Sequence, residues 1–391
     1  MRSDREFDIV VLGATGYVGR RLVAELEKVA KSKGWRLLAT TRSAQKSADL
    51  GRVHPAVSFD TMDVANAADV DRIARRAGLV INCIGPFDLH GENVVSACAR
   101  LGTHYLDITG EILFARRMID RYDELAKKNG AMIVPFAGFD SVPSDMGVYL
   151  MGQEMAELHS QPVASVDLVF EMKGGINGGS AATALDMGAK LKRRDQRNSH
   201  FLARQLPEHV YEGMYCPRYV AHLRKWVAPF FMEPINNKVI FRSLALAPHT
   251  PTWFTSDFRY RECIDVPGGL IGATATAWSL GGGQLMLKTS TGRRLASLVF
   301  PKPGTGPSEK QMNEGFFEAT FIATGACGAV LVRKMFSQGD PGNVSTVKLL
   351  IACARTLLGD DFEPPEGLLT PATAFGVHLL PALRASGISW T

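Results

Sequence analysis

A chain of 391 residues that is 46% hydrophobic and 21% charged is long enough for two or three ordinary globular domains. Its 44 basic and 39 acidic residues are spread along the whole length, so the net charge of +5 marks no nucleic-acid stripe. Six cysteines, far apart and without a C-x-x-C pair, argue against a zinc site or a disulfide framework and fit free thiols in a reducing compartment. The charged N-terminus runs into a strand with no apolar signal core, so the cytoplasm is the expected location.

The first apolar run, "FDIVVLG", reads as a strand, and "YVGRRLVAELEKVAKSKG" follows with Val18, Leu22, Leu26 and Ala30 every four residues, an amphipathic helix closed by Gly34. The alternation continues with strands at "RLLATT", "AVSFDTMDV", "LVINCIG", "HYLDITG" and "AMIVPFAG". Helices lie between them: one begins near Asn66 or Asp69, and two are closed by Gly102 and Gly130. Six strands alternating with helices predict an α/β, doubly wound parallel sheet of the dinucleotide-binding (Rossmann) kind over residues 1–145.

Beyond Pro143 the rhythm changes. "SVDLVFEMK", "KVIFRSLAL", "FTSDFRYREC", "QLMLKTS" and "FFEATFIATG" read as strands of a β-rich α+β domain over 146–338, serving substrate binding and dimerisation. The uncharged tract Val266–Leu287 is long enough for a bilayer, but its glycines and threonines favour a loop and strand, with peripheral lipid contact left open. Residues 339–391 return to helices that rejoin the nucleotide domain, with Thr370 and Pro371 as a cap and first-turn pair.

"GATGYVG" lies between the first strand and the first helix. Gly13 permits the sharp exit from the strand, Gly16 lets a pyrophosphate approach the backbone beside Thr15, Tyr17 and Val18, and Gly19 lets the helix pack on the sheet. An acid at the end of the second strand would mark NAD, but Arg42 and Ser43 stand there. A guanidinium pairs with a 2′-phosphate, so NADPH is the expected cofactor; the alternative is a surface arginine near Asp49 and Asp60. Asp63 either borders the adenine or starts a helix. Ile84, Gly85, Pro86 and Phe87 leave the fourth strand at the switch point and should line the nicotinamide side.

"LDITGE" and "GFDSVPSD" place Asp107, Glu111, Asp140, Ser141 and Asp145 at strand carboxyl ends, where they either handle a proton and substrate or serve helix N-termini. Glu111, Asp140 and Ser141 are the catalytic candidates. A neutral donor suits an enolate, which selects Ser141, or Asp140 if its pKa is raised. His90 and His104 are lesser candidates. There is no Ser-Tyr-x-x-x-Lys triad and no metal-ligand cluster.

With "GATGYVGRRL", "INCIGPFDLHGENVVSACARLGTHYLDITGE", "GFDSVPSDMGVYL", "GGINGGSAATALDM", "GPSEKQMNEGFF", "GDPGNVSTVKLL" and "LLTPATAFG", the chain resembles the saccharopine dehydrogenase-like oxidoreductases, above all the trans-acting enoyl reductases of polyketide lipid biosynthesis. The resemblance implies hydride transfer from NADPH to the C=C bond of an α,β-unsaturated acyl substrate, free or carrier-bound, made by a polyketide synthase that lacks its own reductase. "GACGAVLVRKMFSQGDPG" and the uncharged tract depart from the family pattern. Two alternatives accompany this reading. One is a saccharopine-type imine or ketone reductase, with Lys173, Arg193 and Arg194 for an amino-acid carboxylate. The other is an NADP(H)-binding, lipid-associated protein without turnover. Expected partners are the acyl substrate, a lipid surface and a second copy of the chain.

Overall fold

The computed structural model describes residues 5–175, 177–190, 195, 197–203, 215–247, 250–302 and 304–391. Its first half alternates as the apolar periodicities require: β1 (Phe7–Leu12), α1 (Tyr17–Lys33), β2 (Leu37–Thr41), α2 (Ala44–Val53), β3 (Val57–Thr61), α3 (Ala67–Ala74), β4 (Ala77–Asn82), α4 (Phe87–His90), α5 (Glu92–Leu101), β5 (His104–Asp107), α6 (Ile112–Lys128) and β6 (Met132–Val134). The strands β1, β2 and β4 are buried on both faces, which is why they read as continuous apolar runs. They form a parallel sheet of order β13-β6-β5-β4-β1-β2-β3, the Rossmann order extended by one strand. That strand, β13 (Gly367–Leu368), comes from near the end of the chain.

Helix α7 (Val142–His159) leads out of this sheet to a mixed sheet of order β14-β12-β11-β7-β10-β9-β8. Its strands are β7 (Val163–Lys173), β8 (Arg218–Val220), β9 (Lys225–Pro229), β10 (Phe254–Asp265), β11 (Phe316–Gly325), β12 (Val330–Gln338) and β14 (Ile388–Trp390). Only β7 and β10 pair in parallel; the other pairs are antiparallel. α7 lies so close on this sheet that a Cβ at Gly147 would stand 2.1 Å from the Phe321 ring and one at Gly152 2.5 Å from Phe254. One apolar core runs from Ile9 and Leu22 through Met146 and Leu350 to Phe170 and Phe317, so the two sheets share their interior.

The remaining helices are α8 (Gly178–Lys190), α9 (Glu233–Leu246), α10 (Thr250–Trp253), α11 (Gly269–Lys288), α12 (Ser290–Val299), α13 (Glu309–Glu314), α14 (Thr346–Leu357), α15 (Pro371–Phe375) and α16 (Leu379–Ala385).

Three expectations are corrected. "KVIFRSLAL" is the second half of α9, not a strand; it is buried nearly all round, including Lys238 and Arg242, so no helical stripe shows in the sequence. The tract Val266–Leu287 is helical from Gly269 on, where α11 begins, and "QLMLKTS" ends that helix and enters the next rather than forming a strand. The glycines Gly281, Gly282 and Gly283 face open space, where a Cβ would meet nothing within 4 Å, so their cost is only that of weak helix propensity. The last residues do not all rejoin the first sheet, because β14 adds to the edge of the second. No helix among the described residues is long and apolar enough to cross a membrane.

Candidate active site

The glycine turn has the geometry that a bound phosphate needs. Gly13 sits at φ +82°, where a side chain is strained, and a Cβ there would approach Ile84 at 2.9 Å. A Cβ at Gly19 would lie 2.1 Å from the Gly13 carbonyl oxygen, and one at Gly16 3.2 Å from it, so the loop folds this tightly only with glycine. Gly16 caps α1 without a side-chain hydrogen bond, the first turn carries no acid, and Lys31 and Lys33 occupy the last. The helix therefore presents backbone N–H groups and a positive dipole end at the turn. Thr15 is exposed at its tip, Val18 is buried, and Tyr17 donates its hydroxyl to the carbonyl of Pro307, which brings residues 304–308 to the turn.

At the end of β2, Thr41 is buried and Arg42 exposed, while Ser43 accepts the N–H of Lys46 at 3.4 Å as the cap of α2. The acids near Arg42 in sequence are engaged elsewhere. Asp49 accepts from Gln45 and Arg52 at 3.0 and 3.1 Å, and Asp60 from Arg72 and Arg76 at 2.6 and 2.8 Å. Neither acid therefore binds Arg42, which is exposed at the carboxyl edge of the sheet. Asp63 uses its carboxylate in a turn, accepting the Ala65 N–H at 3.0 Å ahead of α3.

Beyond β4, the side chain of Asn82 accepts the Ile84 N–H at 2.9 Å, and the Gly85–Pro86 peptide is cis. Gly85 is exposed, but the Phe87 ring is buried against Phe114, with ring centroids 6.0 Å apart. The Phe87 ring thus belongs to the core, while Gly85 is exposed and Ile84 and Pro86 are half-buried.

Glu111, 1% exposed, holds that segment. Its Oε1 accepts the Phe87 N–H at 2.9 Å and its Oε2 the Asp88 N–H at 2.7 Å, while the Thr183 hydroxyl of α8 donates to Oε1 at 3.1 Å. Burial raises its pKa against these hydrogen bonds. Asp107 accepts the N–H groups of Thr109 and Phe136 and the Tyr105 hydroxyl, at 3.0, 3.1 and 2.9 Å. It thereby fixes the strand ends, with Phe136 in the left-handed region at φ +65°, and burial pushes its carboxyl up to about 7.

Asp140 and Ser141 differ sharply. Asp140 is partly exposed and turns its carboxyl toward Gly110, where a Cβ would stand 3.7 Å from Oδ2, 3.8 Å from Met232 and 3.9 Å from Ile235. No hydrogen bond joins it to the described residues, and burial alone pushes its pKa up to about 6. Ser141 is fully buried and donates to Asn236 Oδ1 at 2.9 Å. Asn236 Nδ2 in turn donates to Glu262 at 2.9 Å, and Ser144 donates to Glu262 at 2.8 Å. Burial pushes Glu262 up to about 8. Asp145 is also interior, accepting the Ala372 N–H at 2.8 Å and the Ser243 hydroxyl. His104 stands at the amino end of β5, the wrong edge for a ligand. There it accepts the Met132 N–H at 3.1 Å, and burial pushes its pKa down to about 4.

The second domain closes on this edge through "GGINGG" and "GDPGN". Asp340 accepts the Gly175 N–H at 2.6 Å and an Asn343 amide hydrogen at 2.5 Å; Asn177 donates to Asn343 at 2.7 Å and accepts the Gly179 and Ser180 N–H groups at 2.9 and 3.0 Å. Lys173 pairs with Glu314 at 3.3 Å, and Arg193 and Arg194 lie outside the described residues. No cluster fit for a metal ion occurs among the described residues. Thr183, Asn236 and Glu262 were not singled out from sequence, because their partners lie 72 to 118 positions away.

Residues 9–134 match the saccharopine dehydrogenase NADP-binding domain, and the glycine cradle and the exposed Arg42 fit NADP(H) as the cofactor. The chain is 33% identical over 417 aligned residues to a Mycobacterium tuberculosis protein whose name assigns it provisionally to the trans-acting enoyl reductases, covering 99% of this chain and 97% of that one. It is 30% identical, with the same coverage, to the trans-acting enoyl reductases of Mycobacterium bovis and Mycobacterium ulcerans. The fold is that of the saccharopine dehydrogenase (L-Glu forming) of Saccharomyces cerevisiae, with a TM-score of 0.59 at 12% identity over 98% of this chain and 99% of that one. The chain therefore belongs to the saccharopine dehydrogenase-like oxidoreductases, in the family of the trans-acting enoyl reductases.

Proposed function

We propose that this NADPH-dependent oxidoreductase is a trans-acting enoyl reductase, acting on the C=C bond of an α,β-unsaturated acyl thioester delivered by a polyketide synthase. NADPH supplies the hydride, which goes to the β-carbon. The residues proposed to hold the cofactor are Gly13, Thr15, Gly16, Tyr17, Val18 and Gly19 at the pyrophosphate, Arg42 and Ser43 at the 2′-phosphate, and Asp63 at the adenosine edge. The backbone from Ile84 to Phe87, with the Pro86 ring, completes the nicotinamide side.

The observation that carries the reading is Asp140: a carboxyl without a hydrogen-bond partner among the described residues, turned toward Gly110 beside two apolar side chains and protonated to a higher pH than usual. Such a group gives a proton to the α-carbon as the enolate forms, and a neutral acid does so without opposing the negative charge. Asp140 thus takes the donor role rather than Ser141, whose hydroxyl is buried and spent on Asn236. Glu111, saturated with three donors, positions the Pro86–Asp88 segment.

The test is loss of NADPH absorbance on mixing the purified protein with an α,β-unsaturated acyl thioester, with a cyclic imine and a ketone as comparators. The expected result is consumption with the thioester and a saturated product. Consumption with the imine or ketone alone assigns the saccharopine-type reaction instead. Tight NADPH binding without turnover of a thioester on either a small or a carrier-protein thiol assigns a non-catalytic role.

A further inference from the structure

Between Asp265 and Glu309 the chain carries four basic residues, Lys288, Arg293, Arg294 and Lys302, and no acid. This stretch builds the hairpin of α11 and α12, closed where Arg293 donates to the Leu287 carbonyl at 3.0 Å. α11 lies on β9 and α8 and buries Ala273. Its other side leaves Ile271 82%, Trp278 79% and Leu285 69% exposed. Successive steps of seven residues put these three on one face, along about 20 Å of helix. α12 buries Gly292 and Ala296 and turns out Leu295, Leu298 and Val299, the last two 78% and 84% exposed. Lys288, Arg294 and Lys302 are exposed beside them.

A helix without charge before its last residue belongs in a core or against lipid, and this one leaves its outer face exposed. It is too weakly apolar to span a bilayer, which leaves contact in the plane of the surface. We propose that the α11–α12 hairpin docks on an anionic lipid surface, with Ile271, Trp278, Leu285, Leu298 and Val299 entering the interface and Lys288, Arg294 and Lys302 meeting the headgroup phosphates. The charge pattern selects this occupant. A second copy seated on the same face about a twofold axis would oppose basic residues to basic residues with no acid to pair them. The hairpin contains none of the residues proposed for the reaction, so the proposal stands or falls apart from the enoyl reductase reading.

The experiment is flotation of the full chain with phosphatidylcholine vesicles, with and without phosphatidylglycerol. The expected result is binding to the phosphatidylglycerol vesicles that high salt weakens, and little binding to phosphatidylcholine alone. Lys288→Gln and Arg294→Gln each lower binding about fivefold, and the combined Ile271→Ser, Trp278→Ser, Leu298→Ser variant abolishes it. Both sets keep wild-type NADPH affinity and melting temperature, which separates lost docking from lost folding. The proposal is overturned if wild-type protein does not float, or if it floats equally well in every variant. It is also overturned if sedimentation shows a dimer that the triple serine variant dissolves, since the face then belongs to a second copy.

Discussion

The Glu111 carboxylate accepts a hydrogen bond from the Thr183 hydroxyl at 3.1 Å while capping the Phe87 and Asp88 N–H groups, so one side chain of the nucleotide domain ties the Pro86–Asp88 segment to α8. Lys190, at the far end of α8, pairs with Asp88 at 2.6 Å and strengthens the same tie. The Pro86–Asp88 segment and α8 are therefore held to each other at two points.

Glu111→Gln leaves one acceptor oxygen where three donors converge, and an unpaired buried N–H costs about 1–3 kcal/mol. Melting should show that loss. Thr183→Val removes only the link to α8; it should cost about 1 kcal/mol and raise KM for the acyl substrate while leaving the Kd of NADPH unchanged. Equal damage to both constants would show that Thr183 does more than couple the two elements.

Asp140→Asn should lower kcat by about 10²–10⁴-fold, the usual contribution of general acid catalysis, with NADPH binding retained. Because the protonated form is the donor, the wild-type rate should fall as pH rises through about 6, the value to which burial pushes this carboxyl. The residual activity of the asparagine variant should show no such fall. A wild-type profile that instead rises through that pH would assign Asp140 as a base.

Arg42→Ala removes the charge proposed for the 2′-phosphate. A hydrogen bond to a charged group contributes about 1.5–3 kcal/mol, so the Kd of NADPH should rise roughly ten- to hundredfold and that of NADH should not change. A parallel loss for both cofactors would move the 2′-phosphate elsewhere on the sheet edge.

Gly19→Ala places a methyl 2.1 Å from the Gly13 carbonyl, which neither helix nor strand can yield without opening the turn. Overpacking of this kind costs about 1–3 kcal/mol, and NADPH binding should be lost with it. Gly282→Ala is the matched control: its Cβ meets nothing within 4 Å, so better helix propensity should stabilise α11 slightly.

The nucleotide domain was legible because each of its features is local. Val18, Leu22, Leu26 and Ala30 all lie on the buried side of α1, Gly34 and Gly102 are left-handed caps, and Asn66 caps α3. The second domain is less so, since α9 is buried on nearly every side and α11 spreads its apolar residues round the helix, and neither shows a stripe. At the site, Asp140 stands out as an acid at a strand end, but only tertiary structure separates its carboxyl, which bonds to none of the described residues, from the buried Ser141 one residue on. Phe87 shows the same limit: its N–H binds the Glu111 carboxylate while its ring turns to Phe114, a distinction no spacing encodes.

The interior acids make a final prediction about stability. Burial pushes Asp107 and Asp145 up to about 7 and Glu262 up to about 8, so each binds its proton more tightly in the folded chain than in the unfolded one. The stability this gives is complete below the ordinary carboxylate range and is lost as pH rises through about 7 and then about 8. Glu262→Gln keeps an oxygen for Ser144 and Asn236 but has no proton to lose. The variant should therefore melt close to wild type near pH 5 and above it at pH 8, with a flatter dependence between. If wild type gains stability over that interval and the variant does not, Glu262 is ionised in the fold and its network is held by charge.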